Sequence, residues 1–229
     1  ILMRLPFDED VEQEEQEYRE ATVYKLLADY RKANHLHFSI SQGFNQFEIH
    51  VQVPVGAPQL DTIRTLLLIL KKELNFPFRI GAGVSPSYER SRYFAEHALM
   101  EADRYGRNDA FFMDEEDKIT GPLSADNQLM YNYSNEKALA FARENGINET
   151  NILKLISIFE QDEAQLISSH ALSEKLGITM RSASRILAKL YDLDMIRFRD
   201  TAPDTKTPRQ GRPSHYYHFN PAAFREALL

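Results

Sequence analysis

Apolar residues recur along this chain at two spacings, and the switches between them mark out its elements. Over residues 168–176, Ala171, Leu172 and Leu176 fall at helical spacing behind Ser168 or Ser169, either of which can cap the first turn. Gly177 ends that helix, because glycine takes the left-handed backbone that a sharp stop requires, and Ile178 packs back into the turn. Thr179 then caps a second helix, with Ala183, Ile186, Leu187, Leu190 and Leu193 on one side and Arg181, Ser182, Arg185 and Lys189 on the other. Alternation replaces helical spacing at 195–199 and again at 214–219, which predicts two strands around a long polar loop. Upstream, Ile152, Leu153, Ile156 and Phe159 predict a core helix that starts at Thr150.

The first half reads as strand, helix, hairpin, helix, strand, helix, strand. Residues 1–7 predict a short strand, followed by an acidic run over 8–17 that reads as a solvated loop and first helical turn. A helix begins at Tyr18, places Val23, Leu27 and Tyr30 on its apolar face, and ends near Asn34. Strands over 37–41 and 47–53 flank a tight turn in which Gly43 and Asn45 tolerate positive φ. Leu60, Ile63, Leu67, Leu70 and Leu74 predict a helix within 57–75; a strand follows over 77–84, a helix over 88–105 and a last short strand over 110–113. Residues 114–134 are polar and include Gly121-Pro122, the composition of a domain boundary. A helix over 135–144 closes at Gly146 and connects to the C-terminal part, as a relay or as a passive spacer.

Charge changes this picture. The 229 residues carry a net charge of −7, which argues against nucleic acid for the chain as a whole. From Thr150 onward, however, 11 basic residues face 9 acidic ones, leaving 16 basic and 25 acidic before it, so the parts carry +2 and −9. An acidic domain joined to a mildly basic one favours a sensor coupled to a DNA reader, with binding that weakens quickly in salt and depends on dimerisation. No apolar run reaches the roughly 18 residues of a membrane span, the longest candidate being 66–70. The absence of cysteine removes disulfides, thiol nucleophiles and Cys-type zinc sites, and agrees with a cytoplasmic location. The chain begins at Ile1 rather than Met, so a processed protein or a piece of a longer one is expected. His35, His37, His215 and His218 lack the spacing of zinc ligands, and no Gly-x-Ser-x-Gly elbow or P-loop occurs, so no catalytic residue, metal ligand or cofactor is expected.

Helix, tight turn, basic helix, strand, basic loop, strand resembles the winged helix of bacterial transcriptional regulators. Pro208-Arg209-Gln210-Gly211-Arg212-Pro213 is similar to the Arg-Gly-Arg-Pro core of AT-hooks, from which it departs at Gln210. The resemblance implies double-stranded DNA as partner, with Thr179 capping the recognition helix, Arg181, Ser182 and Arg185 at base edges, Lys189 and Arg197 on phosphates, and Arg209 and Arg212 at the wing. An ordinary helical hairpin with a solvated basic face is the alternative reading of the two helices alone.

Residues 20–113 resemble a GGDEF domain, the fold of the diguanylate cyclases. The signature loop corresponds to Gly43-Phe44-Asn45-Gln46-Phe47, the strand with its glycine turn to Phe78-Arg79-Ile80-Gly81-Ala82-Gly83-Val84-Ser85, and the closing helix to the run from Ala95 through Gly106-Arg107-Asn108. The family's acidic loop residues are replaced here by Asn45 and Gln46, and its second glycine by Phe44. Neutral amides neither hold a hard cation as carboxylates do nor act as a general base, so cyclase activity is not expected. The family's inhibitory Arg and Asp would fall near Asn34 and His37. The fold is also similar to that of the archaeal-type GTP cyclohydrolase, which makes a purine nucleotide at Gly43, Phe44, Asn45 and Gln46 one expectation and a dimerisation scaffold the other.

The expected architecture is therefore α+β: a degenerate GGDEF-like sheet domain of the palm, ferredoxin-like type over 1–120, a linker and connecting helix over 121–149, and a winged helix domain over 150–229. The expected function is a homodimeric, cytoplasmic DNA-binding regulator with a small-molecule ligand and no membrane partner. The competing expectation is a nucleotide-processing enzyme in which Asp8, Asp10 and the hairpin hold a metal-bound triphosphate while the winged helix docks a protein.

Overall fold

The computed structural model describes the chain except residues 7–9, 34–36, 53–58, 126–127, 163, 165 and 200–214. It is a mixed α and β protein that divides into two compact units, Ile1–Gln128 and Leu129–Leu229.

The first unit runs β1 (Leu2–Arg4), α1 (Gln13–Ala33), β2 (Phe38–Gly43), β3 (Gln46–Val51), α2 (Gln59–Glu73), β4 (Arg79–Gly83), α3 (Tyr88–Tyr105), β5 (Ala110–Met113) and β6 (Lys118–Gly121). Its strands lie in the order β2-β3-β1-β4-β5-β6. β1 is antiparallel to both β3 and β4, while β4 and β5 are parallel, as a strand pair joined by a crossover helix must be.

Alternation along the strands sorts side chains to the two faces. Phe47, Ile49, Ile80 and Phe112 join Val23 and Leu27 of α1 and Ile63, Leu67 and Leu70 of α2 in one buried cluster. The opposite face of β4 carries Gly81 and Gly83. There α3 lies on the strand itself: a Cβ at Gly81 would stand 2.2 Å from both the Ala95 carbonyl oxygen and the Leu99 nitrogen. The small residues Ala95, Ala98 and Ala102 on α3, all buried, complete the close fit.

The second unit runs β7 (Leu129–Asn132), α4 (Glu136–Glu144), α5 (Glu149–Gln161), α6 (Ser169–Leu176), α7 (Met180–Asp192), β8 (Ile196–Arg199), β9 (Tyr216–Phe219) and α8 (Pro221–Leu228). α5 is buried on nearly every side, and its Phe159 stacks on Phe224 at 4.6 Å and meets the edge of Phe219 at 5.3 Å. β8 and β9 pair antiparallel, and Ile167 and Tyr217 exchange backbone hydrogen bonds of 2.9 Å in both directions, adding a third strand position before α6.

Several elements differ from their sequence expectation. α1 starts at Gln13, not Tyr18, because Glu14 and Glu15 sit in its first turn, where the helix dipole favours negative charge. Within the stretch 121–149, expected as a linker and connecting helix, the helix forms as α4, with Ala138 and Ala142 buried and the Asn135 amide donating to the Leu228 carbonyl at 3.3 Å; Gly121 closes β6, and β7 is a strand that the polar composition did not predict. α8 was not anticipated; Phe224 and Leu228 anchor it, and Pro221 suits its first turn, where no backbone N–H is needed. Leu193, expected in the core, is 40% exposed, because α7 has ended and Asp194 turns the chain at φ +54.

Candidate functional site

α7 and its N-cap carry most of the described residues expected to meet DNA. Gly177, at φ +68, stops α6, and the Ile178 N–H returns to the Ser173 carbonyl at 3.0 Å. Thr179 is the N-cap of α7: its hydroxyl accepts from the Ser182 N–H at 3.2 Å and shares a 3.0 Å hydrogen bond with the Ser182 hydroxyl. Both hydroxyls therefore build the cap. Ser182, expected at a base edge, is half-buried in it.

Ala183, Ile186, Leu187 and Leu190 bury the inner face of α7. Arg181 and Arg185, one helical turn apart, are exposed, and neither forms an ion pair among the described residues. Ser184 and Ala188 lie on the same exposed stripe, beyond the residues that the sequence pattern picks out. The signal was present, three and seven residues beyond Arg181, in side chains too small to attract notice. The Ser184 hydroxyl donates to that of Ser169 at 3.0 Å and so ties the stripe to the start of α6. Burial pushes the Lys175 ammonium of α6 below its ordinary value, with the Asp162 carboxylate opposing.

Lys189 departs from expectation. Its ammonium donates to the carbonyls of Asn145 and Gly146, each at 2.7 Å, at the end of α4, so it is already engaged inside the unit. Arg197 remains exposed and faces Asp194 at 3.5 Å, a loose surface pair of small energetic weight. Arg209 and Arg212 lie outside the described residues, as do Asp8 and the tip of the expected wing.

The hairpin of the first unit forms with a two-residue turn, Gly43 pairing with Gln46 across Phe44 and Asn45. Asn45 sits at φ +54 and is 5% exposed. Its carbonyl accepts from the Leu5 N–H at 2.8 Å, its N–H donates to the Glu20 carboxylate at 2.9 Å, and its side-chain oxygen accepts from Gln16. Glu20 also accepts from Gln42 at 2.9 Å. The Asn45 side-chain nitrogen is buried and has no hydrogen-bond partner among the described residues. Phe44 stands 78% exposed. Of the four residues expected to hold a ligand, Asn45 ties the turn to α1, and none of them lines the open groove of this unit, whose walls include Arg31, Lys32, His50, Ser85 and Tyr88.

Two further polar clusters occupy the first unit. Glu48 accepts from the Tyr88 hydroxyl at 3.0 Å and faces His50 at 3.4 Å. Buried Asp109 accepts from the Ser124 N–H at 3.1 Å and from its hydroxyl, and Lys71 donates to the Ser124 oxygen at 2.7 Å. Lys71 also donates to Asp109 at 3.3 Å, so the cluster ties α2 to the 122–125 turn. Among the described residues no group of three or more His, Cys, Asp or Glu is placed to hold a metal ion, and no helix is long and apolar enough to cross a membrane.

Comparison of the chain with protein-family models, with curated proteins and with solved structures gives no match.

Proposed function

We propose that this protein is a DNA-binding transcriptional regulator. In this reading the second unit is a winged helix in which α5, α6 and α7 carry the core, α7 enters the major groove, and β8 and β9 form the base of the wing. The observation that carries the reading is the pair Arg181 and Arg185, exposed on one stripe of α7 and without ion pairs among the described residues. Guanidiniums left open in this way bind guanine edges or phosphates at little internal cost. Ser184 and Ala188 beside them are small enough to let the helix approach the bases.

The first unit supports a GGDEF-like reading through the order of β1, α1, β2, β3, α2 and β4, with β1 between β3 and β4, as in palm and ferredoxin-like sheets. We assign it a dimerising or ligand-sensing part and no cyclase chemistry, since its turn offers amides where metal binding and proton transfer need carboxylates.

The test is selection of bound duplexes from a randomised pool, with wild type and a variant carrying both Arg181→Ala and Arg185→Ala. Wild type is expected to enrich one sequence and the variant none. Equal enrichment by the two proteins removes the assignment of α7, and no enrichment by either removes the proposed function.

A further inference from the structure

Lys189 sits on the helix that carries the candidate interface, and its charge is aimed away from it. The ammonium lies 2.7 Å from two carbonyl oxygens, those of Asn145 and Gly146, which follow the last turn of α4. The Asn145 carbonyl belongs to the C-cap of α4 and the Gly146 carbonyl follows it, and the negative end of the helix dipole adds to their attraction for a cation. Gly146 makes the geometry available. It holds φ +57, and a Cβ at that position would stand 3.3 Å from the Lys189 nitrogen, so the turn is both left-handed and bare where the lysine arrives.

The connection has an architectural meaning. α4 precedes the three-helix core in the chain and packs on α5 and α8, with Ala138 and Ala142 buried. α7 is fixed at its N-terminal end by Thr179 and by the bond between Ser184 and Ser169. Near its C-terminal end Lys189 supplies a second fixed point, on a different helix.

We propose that Lys189 is a positioning residue: it clamps the C-terminal half of α7 to the end of α4, and so sets the angle at which Arg181 and Arg185 are presented, without touching the nucleic acid itself. The proposal rests on the DNA-binding reading for its functional half, while the clamp stands as a structural claim. It also gives α4 a defined route to the interface, because displacing the end of α4 removes the acceptors that hold α7.

The experiment compares the wild-type chain with Lys189→Met, which keeps the apolar stem, and Lys189→Arg, which keeps the donors. Hydrogen exchange is measured first. The amides of residues 145–147 and of the last turn of α7 are expected to exchange about tenfold faster in the Met variant, as loss of a charged hydrogen-bond pair implies, and at the wild-type rate in the Arg variant. Equal exchange in wild type and the Met variant overturns the clamp.

The salt dependence of binding is then measured on a duplex selected by the wild-type protein. Affinity is expected to fall about tenfold in the Met variant, with the slope of log K against log salt unchanged, and to return in the Arg variant. A slope reduced by about one, as loss of a phosphate contact produces, overturns the positioning role. Unchanged affinity overturns it too. If wild type selects no duplex, the DNA reading fails, and the exchange result alone decides whether the clamp exists.

Discussion

The β2–β3 turn of the first unit and the outer face of α7 in the second are both polar, and they differ in where their hydrogen-bonding capacity goes. Around the turn, Glu20 accepts from Gln42 and from the Asn45 N–H, Gln16 donates to Asn45, and the Asn45 carbonyl takes the Leu5 N–H. A ligand at that turn would have to replace bonds already made, and breaking a buried pair exposes the desolvation cost of whichever partner is left alone. On α7, Arg181 and Arg185 stand in solvent and have no ion-pair partner among the described residues. Polar residues bound into their own fold are architecture; those held out from it on a rigid helix can serve a partner. Lys189 shows that the distinction runs through a single element, since it shares α7 with the two arginines and belongs to the first kind.

The most severe way to break the contrast is to remove what holds α7 rigid. Phe159→Ala empties the centre of the aromatic group formed with Phe219 and Phe224 and is expected to cost about 3–5 kcal/mol of stability in the second unit. Urea unfolding followed by hydrogen exchange over α5 to α8 reads this loss; a cost below about 1 kcal/mol would show that the aromatic group is not the core. Next, Arg185→Ala is expected to weaken binding to a selected duplex by about 1–3 kcal/mol and to relax one position of the site, measured by titration against single-base variants of that duplex.

The turn supplies the smaller effects. Asn45→Ala loses the Gln16 bond and puts an alanine at φ +54, so a loss of about 1–2 kcal/mol is expected in the first unit, against a smaller loss for Asn45→Gly, which accepts that backbone. Thermal or urea midpoints rank the two, and equal losses would mean that the side-chain bond, not the backbone, controls the turn. Finally, Thr179→Ala removes the cap of α7 and is expected to cost about 1 kcal/mol, with Thr179→Ser close to wild type in the same unfolding measurement.

Much of the architecture was written in periodicity. α3 and β5 occupy the predicted 88–105 and 110–113, and the Gly177 stop and the Thr179 cap stand where the residue types place them. Local rules failed where distant packing decides. α8 has eight residues and two buried anchors, too little pattern to read without knowing that Phe159 waits for Phe224. Leu193 continues the apolar spacing of α7 past the point where the backbone leaves the helix. At the candidate site, the arginine stripe was legible because a helical wheel reports it. The partners of Lys189 lie 44 and 43 residues upstream, a relation that spacing along one helix cannot express. Asn45 suits a tight turn by residue type, but nothing local reveals that its side chain turns inward toward α1.

The bare strand under α3 has a mechanical consequence. Side chains between two layers act as springs, since rotamers can shift to absorb a small displacement. At Gly81 and Gly83 there are none, and helix backbone rests on strand backbone. At Gly81 no side chain stands between strand and helix to absorb a displacement of α3. The same contact leaves the positions almost no room to vary: an added methyl group at Gly81 or Gly83 meets backbone atoms, which cannot step aside without lifting the helix.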